Sequence, residues 1–156
     1  MFRVTADSLA AYLAFDPARK PDLAGLDALI RKSAPGLRRH FHQGTPAGSA
    51  GMRMEMIGYG RFRYAIKSGQ STPWPVIGVA LQKNYISVYM AVTKDGAPLL
   101  QTQRAPFGEK RRGGNNFSFE RFEDLDARAL AALFAEADRI FTADARNPVR
   151  YMQGGA

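Results

Sequence analysis

Residues 56–92 read MIGYGRFRYAIKSGQSTPWPVIGVALQKNYISVYMAV, and this stretch decides the fold class. Just ahead of it Met52, Met54 and Met56 alternate with Arg53 and Glu55; after a bend at Gly58-Tyr59-Gly60, Phe62, Tyr64 and Ile66 alternate with Arg61, Arg63 and Lys67. Alternation at period two marks a half-buried strand, because successive side chains leave a sheet on opposite faces. Val76 to Leu81 is almost wholly apolar, and Tyr85 to Val92 alternates again, with Ile86, Val88, Met90 and Val92 on one side. Gln82-Lys83-Asn84 is short enough for a hairpin connection. Lys94-Asp95-Gly96 has turn chemistry, and Phe117 and Phe119 mark one more short strand.

The flanks read as helices. Asp7 is placed to cap Ser8-Leu9-Ala10-Ala11-Tyr12-Leu13-Ala14. Between Pro21 and Ser33, Leu23, Leu26, Leu29 and Ile30 share a helical face, and Pro35-Gly36 supplies the stop. Asp126 is a second N-cap, ahead of a stripe made by Leu130, Leu133, Phe134, Ala137, Ile140 and Phe141. Helices at both ends of consecutive strands predict an α+β fold: N-terminal helices, a mostly antiparallel central sheet of about five strands, and a C-terminal helix packed on it. One domain over 1–146 is expected, followed by a mobile polar tail over 147–156.

The chain of 156 residues is within the size of one domain, and its 46% hydrophobic and 23% charged fractions are those of a folded protein rather than a disordered one. There is no cysteine, which excludes disulfides, thiolate metal sites and a cysteine nucleophile. No basic-then-apolar leader opens the sequence, and no run approaches the roughly 20 apolar residues of a membrane span. A cytoplasmic protein without membrane contact is the expectation.

The net charge of +8 is concentrated. Residues 31–112 carry 14 Lys/Arg and 3 Asp/Glu, an excess of +11, while the flanks together are net acidic. The basic block is interleaved with aromatics, which makes three readings available: a solvated basic face with the rings in the core, a groove for an anionic small molecule or protein segment, or a sequence-tolerant nucleic-acid surface. The groove reading assigns Tyr59, Tyr64 and Trp74 as apolar walls and Arg61, Arg63, Lys83, Arg111 and Arg112 as the charge.

Other chemistry is sparse. No Walker-type run occurs, Gly58-Tyr59-Gly60 lacks the third glycine of a dinucleotide fingerprint because position 63 is Arg, and Ser49 is not in a nucleophile elbow. No catalytic residue, metal ligand or cofactor is assigned. His40 and His42 form a His-x-His pair that reads as a solvated pair near a strand start more readily than as two metal ligands beside Arg38 and Arg39. The three alternating methionines read as a strand's inward face rather than as soft copper ligands. Glu120, Glu123, Asp124 and Asp126 read as carboxylates that stabilise a helix N-terminus.

The run Met56-Ile57-Gly58-Tyr59-Gly60-Arg61-Phe62-Arg63-Tyr64, then Ser68-Gly69 and Trp74-Pro75, resembles the YdhG-like family of bacterial domains. Gly44-Thr45-Pro46 is similar to the family's Gly-x-Pro element, Val76-Ile77-Gly78 through Tyr89 to its central hairpin, and Phe119 through Asp126 to its last strand and helix start. The likeness spans about residues 22–140. It implies an intracellular domain with helices on a mostly antiparallel sheet and no catalytic motif; some relatives are described as frataxin-like iron chaperones. Gly44, Pro46, Gly58, Gly60, Gly69 and Pro75 are the family-type structural positions. Gly113-Gly114-Asn115-Asn116 stands where members commonly carry Gly-Lys and often Cys. Gly58 and Gly60 permit a bend or bulge, and Pro75 suits the first position of a strand.

Overall fold

The computed structural model describes residues 4–44, 54–65 and 71–143. Two helices, α1 (Leu9–Ala14) and α2 (Lys20–Ser33), precede the strands β1 (Arg39–His42), β2 (Met56–Ala65), β3 (Ser71–Leu81), β4 (Ile86–Met90), β5 (Thr93–Lys94), β6 (Ala97–Pro98), β7 (Arg111–Arg112) and β8 (Asn116–Phe119), and α3 (Ala127–Ala143) follows. The α+β architecture is as expected. Six strands rather than about five build the main sheet, in the order β1-β2-β3-β4-β8-β7 and antiparallel throughout; β5 and β6 form a separate ribbon. Asp95 and Gly96, at φ of 53° and 82°, make the two-residue turn of that ribbon.

Helix ends follow the side chains available. Ser8, not Asp7, caps α1: its hydroxyl accepts from the Ala11 N–H at 3.1 Å. Pro21 stands in the first turn of α2, and Leu23, Leu26 and Ile30 are buried along it. Asp126 caps α3 through the Ala129 N–H at 3.1 Å, which confirms the helix-start role for that carboxylate.

Register divides the sheet into two faces. Phe41, Ile57, Val79, Val88 and Phe117 form one cross-strand row, with Arg39, Tyr59, Ile77 and Met90 beside it. Here α2 packs, since Asp27 reaches both Tyr59 and Arg39; α3 lies beside α2 and over the 3-10 turn Leu99–Thr102. The opposite, outer face carries the row His40, Gly58, Gly78, Tyr89, Asn116 and the row Ala80, Ser87, Ser118, Arg111.

Three local features shape the β2–β3 hairpin. Gly58-Tyr59-Gly60 does not interrupt the strand; β2 runs through it, and Gly60 takes φ of 71°, a value that favours glycine. Pro75 is inside β3, not at its start, and beyond Ile77 only β2 pairs with that strand, so the missing N–H costs at most one ladder bond. Trp74 pairs with Phe62, six residues along β2 from the Met56 that pairs with His42, about 20 Å on a straight strand. Its ring nevertheless meets the His42 ring edge-on at 5.1 Å. The β2–β3 hairpin therefore curls back over the outer face, and the left-handed backbone at Gly60 lies where this curl needs it.

The other end of the same hairpin is held by Tyr12. Leu81, opposite Glu55 by register, donates its N–H to the Tyr12 hydroxyl at 2.8 Å, which donates to the Glu55 carbonyl at 3.0 Å. A phenol from α1 is thus spliced into the ladder between β2 and β3. Burial pushes its pKa up, keeping it a donor. The expected mobile tail, Met52, Ile66, Lys67, Pro46 and Gly69 lie outside the described residues.

Candidate functional site

The residues assigned to a basic groove do not converge. Tyr59 is fully buried on the helix side of the sheet, where its hydroxyl donates to Asp27 Oδ1 at 2.5 Å; burial, then the Asp27 carboxylate, drives its pKa up. Trp74 is 2% exposed and packs on His42. Neither ring is a groove wall, because the sheet is covered on both faces at those positions. Tyr64 is on β2, and its side chain lies outside the described set.

The cations are dispersed. Arg61 and Arg63 are exposed on β2 opposite Pro75 and Pro73. Lys83 is exposed in the β3–β4 turn, at the far end of β3. Arg111 is exposed on β7, four strands from β2. Arg112, its neighbour, points the other way and is structural. Its Nε donates to Glu109 Oε2 at 2.6 Å, its two Nη to the carbonyls of Gln103 and Ala105, and its guanidinium lies 4.4 Å from the Phe107 ring centre. It staples the loop before β7 and is not displayed to a ligand.

Much of the basicity has a similar explanation. Arg39 pairs with the buried Asp27 at 2.7 Å, with Arg31 at 3.6 Å. Arg19 donates to the carbonyls of Glu120 and Asn84, Lys110 pairs with Glu120 at 3.1 Å, and Lys94 with Glu136 at 3.4 Å. Asp27 was legible as an oddity: a carboxylate on the apolar face of α2, between Leu23 and Ile30, needs a cation inside.

The structure does bring together a smaller set at the β1–β2 edge: Arg38, His40, His42, Arg61 and Trp74. Among the described residues β1 is the terminal strand of the sheet. His40 and His42 are not a solvated pair. His40 lies flat on Gly58, where a Cβ would come within 2.4 Å of its Nε2, and His42 is 8% exposed beneath Trp74. His40 Nδ1 faces the Arg38 carbonyl at 3.4 Å. A carbonyl only accepts, so Nδ1 carries the proton and Nε2 the lone pair. Both Nε2 atoms are buried without a hydrogen-bond partner among the described residues.

Electrostatics at this edge is one-sided. Burial first, then the Arg61 charge, lowers the His40 pKa; burial, His40 and Arg61 hold His42 down at about 4. Two neutral imidazoles therefore sit next to an exposed guanidinium. Neither Arg38 nor Arg61 has an ion pair among the described residues. No group of three or more His, Cys, Asp or Glu that would hold a metal occurs among them either. Met56 is core, as the alternation predicted, and Met54 packs partly against it.

A second surface was missed by sequence reasoning. Ser87 and Tyr89 stand on the outer face of β4, with Asn116, Ser118 and Arg111 alongside, and Tyr85 immediately precedes the strand. Tyr85, at 38% exposure, is the large hydrophobic residue left open to solvent among the described residues. The alternation of Tyr85 to Val92 contained this: the side opposite Ile86, Val88 and Met90 is Tyr-Ser-Tyr.

No family model matches the chain, nor does any curated protein or solved structure. No described helix is long and apolar enough to cross a membrane.

Proposed function

We propose that the protein is a non-catalytic binding or adaptor domain, of the YdhG-like kind its sequence resembles, that takes an anionic ligand at the β1–β2 edge. The observation that carries this reading is the company of Arg61: an exposed guanidinium without an ion pair among the described residues, beside two imidazoles that its charge helps keep neutral. An anion docked on Arg61 and Arg38 would balance that local charge. No nucleophile, base and orienting group converge there among the described residues, and the reading assigns the edge to binding.

Native mass spectrometry of gently purified, untagged protein seeks a retained anionic adduct. Titration with inorganic phosphate, pyrophosphate and oligo-glutamate then compares the wild type with Arg61→Glu. Weaker binding by the charge-reversed protein is expected. If none of the anions distinguishes the two proteins, the edge is not the site.

A second reading, sequence-tolerant binding of single-stranded nucleic acid, is favoured by the exposed Tyr85 and Arg111 on the β4–β8–β7 side of the sheet. It predicts stacking on Tyr85 and affinity that falls steeply with salt. Absence of binding at low salt excludes it.

A further inference from the structure

We infer that the anionic ligand of the β1–β2 edge is an acidic, extended protein segment that adds to the sheet as a strand beside β1. This rests on the anion-binding reading above and adds the form of the partner. The phase of the β1–β2 ladder is decisive. Gly60 donates its N–H to the Arg38 carbonyl at 2.9 Å, which makes Arg38 and Gly60 a hydrogen-bonded pair. In an antiparallel ladder such pairs alternate. His40 and His42 therefore bond inward to Gly58 and Met56, and the N–H and C=O groups of Arg39 and Phe41 point away from the sheet. No described residue hydrogen-bonds those four groups. They are a template for two residues' worth of ladder.

The template is rigid before anything binds. Arg39 is tied to Asp27 at 2.7 Å, and the Phe41 ring packs on Tyr12 at 5.8 Å. A preformed edge loses little freedom on pairing. Charge then selects the partner. Arg38 and Arg61 repel the same edge of a second copy and attract carboxylates, so one feature opposes self-pairing and favours an acidic strand. Cross-strand neighbours share a face. Residues of the added segment beside Arg38 and His40 are acidic, and the intervening ones, beside the half-buried Phe41, are apolar.

The test uses a capped seven-residue peptide alternating Glu and Val, with two analogues N-methylated at all Glu or at all Val positions. Binding is read by fluorescence anisotropy at low salt, and the Arg39 and Phe41 amides by hydrogen exchange. The parent peptide should bind, one N-methylated analogue should bind at least tenfold more weakly, and both amides should exchange fast in the free protein and at least tenfold more slowly in the complex. Arg61→Glu, checked for folding by circular dichroism, should weaken the peptide at least tenfold. Equal binding of all three peptides with unchanged amide exchange overturns strand addition and leaves anion binding standing. Phosphate binding without peptide binding does the same. Slow, concentration-dependent exchange of these amides in the free protein shows a second copy on the edge and also overturns it. Indifference of every anion and peptide to Arg61→Glu removes both readings together.

Discussion

Acidification should unfasten the curled hairpin, and His42 sets how strongly. In the folded chain its pKa is about 4, against 6.5 for an ordinary histidine, because burial, His40 and Arg61 all oppose the charge. Between pH 6.5 and 4 the unfolded chain therefore binds a proton that the folded chain refuses. Stability rises with pH across that window and is lost as pH falls through it. A shift of about 2.5 units, at roughly 1.4 kcal/mol each, is worth about 3 kcal/mol. That is a large part of the total stability of about 5–15 kcal/mol typical of a domain. Carboxylates titrate over the same range, so wild type must be compared with a variant lacking the imidazole. His42→Phe keeps a ring against Trp74. Urea denaturation at half-unit steps from pH 7.5 to 4 should show wild type losing about 3 kcal/mol more than His42→Phe. Parallel curves for the two proteins would refute the argument that a desolvated His42 resists protonation.

Three further predictions concern the scaffold. Tyr12→Phe removes the hydroxyl between Leu81 N–H and Glu55 C=O and should cost about 2–3 kcal/mol in urea denaturation, with faster exchange of the Leu81 amide. Asp27→Ala strips Arg39 and the buried Tyr59 hydroxyl of their acceptor and should cost about 3–5 kcal/mol, whereas Tyr59→Phe, which leaves the ion pair in place, should cost markedly less. Gly58→Ala pushes a methyl group into His40 and should destabilise by about 1–3 kcal/mol; a double-mutant cycle with His40→Ala should recover most of that loss, and simple additivity would contradict the packing of the imidazole on Gly58.

The order of elements was legible because it depends on local pattern. Leu23, Leu26 and Ile30 at helical spacing, Val76 to Leu81 as an apolar run, and Asp126 before the last stripe each declare their element within about ten residues. What escaped was long-range. β1 and β7 are four and two residues long, too short for any periodicity, and exist because β2 and β8 offer them an edge. Pro75 reads as a strand start because proline usually is one there; only the single-neighbour stretch of β3 shows why it is tolerated inside. The basic block misled about the site for a related reason. Lys and Arg look alike in a sequence whether they face a buried carboxylate or solvent. Arg111 and Arg112 are adjacent and identical, yet one is displayed and the other bound to Glu109, Gln103 and Ala105.

That contrast also says where binding charge must be sought. A guanidinium already holding a carboxylate and two carbonyls has most of its donors committed, and moving it would leave Glu109 and those carbonyls unpaired, at a cost that a weak surface contact does not repay. Arg39, bound to Asp27, and Arg112 are therefore fixed parts of the fold, and Arg19 is a third. Arg38 and Arg61 have no such partner among the described residues and stand exposed beside the β1 edge. These two charges adjoin backbone groups without partners among the described residues, and an acidic strand satisfies both needs in one contact. An isolated phosphate would meet only the charge. The stiffness that Asp27 and Tyr12 impose on β1 is thus the link between a stable fold and a selective edge: loosening either should weaken the peptide more than it weakens a small anion.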